Sequence, residues 1–289
     1  DISIKSGENI LANLDLDTYK VSSIEITRDG EWLFSDALGE YVEISRAIPK
    51  LRDIHPDCVF IALHGPFGED GRVQGLLDLM GIPYTGSGCS ASGLAIDKIR
   101  AKRIMKQVGV TVADDIEYTL HDWKNDRDGL THRIEQSLGF PCVVKNPRQG
   151  SSLGMAIPKS LEDFPPAVDQ VFGYGYTLMV ERMIHGTEVT CGVLDSEDGV
   201  GEIALPVTEI RPVKSEFFDY HAKYTPEATN EITPAQISDA LRDRVQDIAV
   251  HAHKTLGCRG FSRSDMIISG NDIVWLETNT IPGFTQTSL

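Results

Sequence analysis

Residues 261–280 read FSRSDMIISGNDIVWLETNT. Two apolar runs, MII (266–268) and IVW (273–275), flank Ser269, Gly270, Asn271 and Asp272, which is the pattern of a β-hairpin. The outer ends of both arms are polar: Arg263 and Asp265 on one, Glu277 and Asn279 on the other. Strand side chains alternate faces, so Arg263 shares a face with Asp265, and Glu277 with Asn279. Whether the two pairs meet depends on the loop. A three-residue loop at 270–272 sets 265 opposite 277 and 263 opposite 279, and all four groups converge. A two-residue loop sets 264 opposite 277 and separates them. Taken alone, such a hairpin reads as a solvated face; converged, it reads as a site.

Composition narrows the setting. A chain of 289 residues has room for two or three domains, and 41% hydrophobic with 24% charged residues is ordinary for a globular protein. No apolar run approaches the roughly 20 residues of a membrane helix, and no signal peptide is visible. A net charge of −16 argues against sequence-independent binding to nucleic acid, but admits a small anion held by a local basic cluster. The five cysteines (Cys58, Cys89, Cys142, Cys191, Cys258) form no CxxC pair. Four lie in apolar contexts, and they read as buried thiols of a cytoplasmic protein.

Strand-like runs fall at 58–63, 141–145, 177–183, 188–194, 201–210, 261–268 and 273–279. Helical spacing runs through 91–108, with Leu94, Ile99, Met105 and Val108 inward and Gly109 as a stop, and through 238–256, followed by Gly257. This mixture predicts an α/β and α+β class. Segment 211–236, polar and punctuated by Pro212, Pro226 and Pro234, reads as a lid. The opening DISIKSGENI reads as a helix already under way.

Several stretches suit an anionic ligand. In VVKNPRQGSSLG (143–154) a β-branched strand delivers Lys145 to a loop with Gly150, Ser151, Ser152 and Gly154, whose N–H groups and hydroxyls suit phosphates. The loop is neither a P-loop nor a dinucleotide fingerprint, and alone it is an ordinary turn. Lys98 in AIDKIRAK is a helical lysine, which is ordinarily a surface residue. Glu181 and Glu188 in LMVERMIHGTE can accept from the amine and ribose hydroxyls of a nucleotide, or can be two exposed acids. His64 follows the run at 58–63 and enters a glycine-rich turn, where parallel strands place ligands. In IPGFTQTS (281–288) the Gly283 N–H and the hydroxyls of Thr285 and Ser288 can bind an oxyanion or carboxylate. Asp265, Glu277 and Asn279 offer hard oxygen ligands to Mg²⁺, and Arg263 a charge for a reacting carboxyl group. Together these point to phosphoryl transfer from a metal nucleotide to a carboxylate.

Six stretches, in order, carry a family resemblance: LHGPFGEDGRVQGLLDLMGIPYTGSG (63–88), DKIRAK (97–102), VVK…GSSLGM (143–155), FDYHAKYTPEAT (218–229), LGCRGFSRSDM (256–266) and LETNTIPGFTQTSL (276–289). They resemble the D-alanine–D-alanine ligases of the ATP-grasp superfamily. The resemblance implies a Rossmann-like domain over 1–97, a central ATP-grasp subdomain over 98–185 and a C-terminal one over 186–289 that carries the lid. It implies ATP, two Mg²⁺ ions (or Mn²⁺), two D-alanines, and a homodimer serving peptidoglycan synthesis. By matching position, Lys98, Lys145, Ser151 and Ser152 would hold phosphates, and Glu181, the Met183 backbone and Glu188 would hold adenosine. Asp265, Glu277 and Asn279 would ligate metal, and Arg263 and Gly283 would form an oxyanion site. Ser288 and Leu289 would anchor the second substrate's carboxylate, His64 would lie beside the first, and Lys223 and Tyr224 would ride on the lid. The implied reaction forms an acyl phosphate on the first D-alanine, which the amine of the second attacks. Relatives that place D-lactate or D-serine second are the alternative, as is a non-catalytic nucleotide-binding module. Asn146 stands where a proline is usual and Gln149 where an acid is frequent; segments preceding Asp1 and following Leu289 are also implied.

Overall fold

The computed structural model describes residues 2–35, 40–150, 154–212, 229–286 and 288. Helix α1 (Ile2–Asn13) precedes β1 (Ile24–Ile26), β2 (Trp32–Phe34) and β3 (Tyr41–Val42), a small antiparallel sheet. Helices α2 (Ile44–Ile54), α3 (Arg72–Met80), α4 (Cys89–Ala95) and α5 (Lys98–Gln107) follow. A second antiparallel sheet orders its strands β4-β7-β5-β6: β4 (Asp115–Thr119), β5 (Cys142–Lys145), β6 (Met155–Ala156) and β7 (Thr177–Arg182). Helices α6 (Leu120–Asn125), α7 (Arg127–Ser137) and α8 (Phe164–Phe172) lie between these strands in sequence. The third sheet takes β8 (Thr187–Asp195), β9 (Glu202–Ala204), β10 (Thr208–Pro212), β11 (Thr229–Ile232), β12 (Phe261–Ser269) and β13 (Asp272–Asn279), with α9 (Asp239–Thr255) before β12.

Each sheet has its own apolar cluster. Trp32, Phe34, Leu51, Ile61 and Leu77 form the first, and Ile281 enters it from far along the chain. Tyr118, Trp123, Val144, Phe164 and Val180 form the second. The third buries Val189, Cys191, Met266 and Trp275 against Val245, Ala249 and Ala252 of α9. Ala101 and Met105 of α5 also belong to this third cluster, so α5 packs on the sheet that carries the hairpin. Arginine, aspartate and asparagine therefore occupy the opposite face of that sheet, as alternation requires.

The hairpin resolves the loop question in an unexpected way. Ser269 faces Asp272, which leaves a two-residue loop, and Gly270 takes φ +62° as such turns demand of glycine. Pairing continues through Met266 opposite Trp275, then shifts: Asp265 faces Glu277 and Arg263 faces Asn279. Leu276 is the extra residue of a β-bulge. The loop alone would have split the four polar groups, and the bulge reunites them.

Other expectations need correction. The helix expected over 91–108 is two helices, broken at Asp97, and Val108 lies past the end of α5 and is 43% exposed. The strand expected at 58–63 is an extended segment with one parallel bridge, Val59 to Tyr84. Pro83 lies beside that bridge and has no N–H to continue a ladder. The run 201–210 divides into β9 and β10 across Pro206. The ends of the expected lid, 211–212 and 229–232, are paired strand in β10 and β11, and 213–228 lie outside the described residues. Of the cysteines, all free, Cys142 and Cys191 are buried, Cys258 is partly so, and Cys58 and Cys89 are exposed. No helix among the described residues is long and apolar enough to cross a membrane.

Trp275 tests the third cluster. It is 0% exposed, and its indole N–H donates to Thr278 Oγ1 at 3.1 Å. Trp275→Ala is expected to lower the unfolding free energy by about 3–5 kcal/mol in urea titrations, and a loss under about 1 kcal/mol would contradict this packing.

Candidate active site

The site is built from α5, the second sheet and the polar face of the third. Asp97 caps α5, accepting from the Arg100 N–H at 3.2 Å, and Arg148 holds the same carboxylate at 3.0 Å. The capped helix aims two lysines inward, one turn apart. Lys98 Nζ lies 2.8 Å from Glu277 Oε2 and donates to Gln149 O at 2.9 Å. Lys98 thus joins the hairpin to the loop after β5. It is 8% exposed, so the ordinary surface reading of a helical lysine fails here. Lys102, 2% exposed, lies 2.5 Å from Glu181 Oε1 and 3.0 Å from Asp115 Oδ1. Lys145 pairs with the other oxygen of Glu181.

On the hairpin face, Arg263 donates to both oxygens of Asp265, at 3.0 and 3.1 Å. Asp265 also accepts from Thr190 Oγ1 at 2.6 Å and from Asn279 Nδ2 at 3.0 Å. Thr190 faces Asp265 across β8, and Glu188 faces Ile267, so Glu188 lies on this same polar face. Four cations (Lys98, Lys102, Lys145, Arg263) therefore mingle with four carboxylates (Asp115, Glu181, Asp265, Glu277).

At Lys145, Glu181 and Arg263 burial works against the charged form, and the neighbours outweigh it. Desolvation pushes the Lys145 ammonium down, but the Glu181 and Glu277 carboxylates hold it above its ordinary value. Desolvation pushes Glu181 up, but Lys145 and Lys102 hold it below the usual carboxylate range. Arg263 is raised in the same way by Asp265, against its own burial. His64 moves oppositely: burial lowers it, and the Arg263 charge adds to the effect against the hydrogen bond its ring makes to the Ile281 carbonyl. The imidazole is 2.8 Å from Ser6 Oγ and 3.1 Å from Ile281 O.

A divalent cation fits the donor set. Two carboxylates and an amide lie side by side on one face, with a guanidinium and an ammonium already balancing their charge. Among the described residues no three His, Cys, Asp or Glu gather as a metal cluster. Mg²⁺ asks for less than such a cluster: it takes one or two carboxylates and completes its shell with water and phosphate oxygens.

At the end of the described chain, Thr285 N–H and Oγ1 bond Ser288 Oγ at 3.0 and 2.8 Å. A Cβ on Gly283 would lie 2.5 Å from that hydroxyl, so only glycine leaves its place open. Ser151, Ser152, Lys223, Tyr224 and Leu289 lie outside the described residues. Asn146 takes up its unusual position with both ends of its amide, accepting from Arg148 N–H at 2.9 Å and donating to Tyr174 O at 3.1 Å.

Sequence reading missed Lys102, Asp115, Thr190 and Glu69. Lys102 lies four residues beyond Lys98, on the same inward stripe as Ala101 and Met105, and that spacing was the available signal. Glu69 lies in the glycine-rich turn after His64 and accepts from Gly65 N–H at 2.5 Å. Burial raises its carboxyl to about 7, and the Glu277 charge adds to this. A raised acid favours the protonated native state between its unfolded and folded values, so its contribution to stability falls as pH rises from about 4.5 to 7. Glu69→Gln is expected to flatten that decline by roughly 1–3 kcal/mol in urea unfolding at pH 5 and 8. Parallel pH curves for both proteins would refute it.

Comparison with known proteins identifies the family. The sequence model of the D-ala D-ala ligase N-terminus matches residues 1–87, and that of the C-terminus matches 104–289. A D-alanine–D-alanine ligase of Sinorhizobium fredii is 40% identical, covering 100% of this chain and 85% of the relative. Among solved structures, a D-Ala:D-Ser ligase from Enterococcus faecalis superposes with TM-score 0.80 at 30% identity, over 100% of this chain and 88% of the other. A D-alanine–D-alanine ligase from Bacillus anthracis complexed with ATP gives TM-score 0.78 at 31% identity, over 100% and 84%. With two family models spanning most of its length and a 40% identical relative aligned across all of it, this chain belongs to the D-alanine–D-alanine ligase family.

Proposed function

We propose that this chain is an ATP-dependent ligase that joins two molecules of D-alanine into D-Ala-D-Ala through an acyl phosphate. The observation that carries the reading is the 2.8 Å contact of Lys98 with Glu277, which brings phosphate-type donors and metal-type acceptors into one place. The curated D-alanine–D-alanine ligases that align with the whole chain support this second substrate over D-lactate or D-serine.

Each side chain then has a task. Lys98 and Lys145 exchange their carboxylate partners for phosphate oxygens as ATP enters, with the Ser151–Ser152 loop closing over them. Glu181 accepts from the adenine amine, the backbone at Met183 reads the ring, and Glu188 takes the ribose. Asp265, Glu277 and Asn279 hold Mg²⁺, or Mn²⁺, which when bound offsets the negative charge of the phosphates. His64 lies beside the first D-alanine, and Ser288 and Leu289 hold the carboxylate of the second.

The first D-alanine carboxylate attacks the γ-phosphorus and ADP leaves. The amine of the second attacks the resulting acyl carbon, and the tetrahedral adduct collapses with loss of phosphate. Arg263 and the Gly283 N–H face the oxygen that becomes negative in that adduct, where fixed donors count most. Lys223 and Tyr224 ride on the lid that excludes water from the acyl phosphate. Binding both amino acids side by side makes the second step effectively unimolecular, so no side-chain nucleophile is needed. The same reading divides the chain at 97/98 and 185/186, supported by three apolar clusters; α5 packs on the third and reaches the second sheet through Lys102. It places a homodimer in the cytoplasm, serving peptidoglycan synthesis.

Phosphate release should depend strictly on D-alanine, with the dipeptide identified by mass. Faster ester formation from D-lactate at neutral pH would overturn the choice of second substrate. Arg263→Ala and Glu277→Gln should each lower kcat by about 10²-fold or more. Full activity in Glu277→Gln would remove the metal assignment.

A further inference from the structure

Lys102 has no task in this scheme, yet it is among the most deeply buried charges in the chain. It is 2% exposed, and both neighbours of its ammonium are carboxylate oxygens, at 2.5 Å on Glu181 and 3.0 Å on Asp115. Held there, it is a counter-ion rather than a ligand for phosphate. Glu181 lies on β7 between β4 and β5, directly opposite Asp115 in the ladder. The charged groups facing it are Lys102 from α5, Asp115 from β4 and Lys145 from β5, and Glu277 of β13 reaches it through Lys145.

These two lysines differ in what they can do next. Lys145 sits at the end of β5, where the phosphate loop begins. Once it turns to a phosphate, Glu181 keeps only Lys102. Without Lys102, the buried Glu181 carboxylate would face that of half-buried Asp115 across the strands, and Glu181 would take up a proton. An ionised carboxylate only accepts hydrogen bonds, whereas a protonated one also donates. The first suits the 6-amino group of adenine, and the second suits the 6-oxo group of hypoxanthine or guanine.

We propose that Lys102 is a positioning residue that sets the nucleotide's base specificity, by keeping Glu181 an ionised acceptor while Lys145 is engaged by phosphate. The inference rests on the reading of Glu181 as the adenine acceptor, so the test separates the two. Calorimetric dissociation constants for ADP and IDP, with magnesium and without D-alanine, give a preference that needs no turnover. In the wild type the preference for ADP should be constant from pH 6 to 9. In Lys102→Met it should fall by about tenfold or more at pH 7, and recover as pH rises and Glu181 ionises. A merely structural loss would weaken both nucleotides alike and leave no pH dependence in their ratio. If Glu181→Gln leaves the preference unchanged, the adenine assignment itself fails. If Glu181→Gln abolishes it and Lys102→Met retains it, the role of Lys102 fails. Should Lys102→Met not fold, as judged by circular dichroism, Lys102→Gln, which also removes the charge, takes its place in the same series with the same expected and overturning results.

Discussion

Charges withdrawn from water must each find a partner, and this constraint organises the centre of the molecule. A buried ion left alone costs several kcal/mol, so eight charged side chains from α5 and both large sheets are all paired: Asp115, Lys102, Glu181 and Lys145 in one alternating string, Lys98 with Glu277, and Arg263 with Asp265. The string explains why a helix with two inward lysines is stable: each ammonium meets carboxylates supplied by strands. It also explains why α5 packs on the third sheet while Lys102 reaches into the second. Pairs of this kind add little net stability compared with an apolar core. Their value lies in exchange, because a polyanion can take over the lysines and a metal the carboxylates without stranding either.

Much of this was legible in the chain. The alternation in 261–279 placed Arg263 with Asp265 and Glu277 with Asn279, and the glycine stops at 109 and 257 were read correctly. Family resemblance supplied the order of the motifs. The hairpin shows where such reading runs out. Loop length and convergence are linked only in a regular ladder, and one extra residue, Leu276, decouples them. No local signal marks that residue as the bulge. It is decided by Trp275 and Met266 seeking the core on one side and Asp265 and Glu277 meeting on the other.

Buried charge was equally hard to see. A lysine on a helix is normally solvated, and composition gives no hint that Lys98 and Lys102 point inward. Their inward stripe is shared with Ala101 and Met105, so helical spacing marked the face but not its chemistry. Glu69 was hidden for another reason. It lies in a glycine-rich turn, where acids are ordinarily exposed, and its burial comes from segments distant in sequence, including the backbone near Ile281.

The segment after β13 runs back to the first cluster, and this has a consequence for synthesis. Ile281 is buried among Trp32, Leu51 and Leu77, Asn9 Nδ2 donates to Phe284 O at 2.8 Å, and the Phe284 N–H reaches Ser6 Oγ at 3.3 Å. The two hydrogen bonds span more than 270 residues. During translation the earliest apolar surface therefore waits, incompletely covered, until almost the whole described chain has left the ribosome. Long-range closure of that kind slows folding and leaves the nascent unit open to aggregation or to chaperone capture. Bringing α1 and the segment after β13 together is thus a late event, and it completes the first core and the surroundings of His64 in a single step.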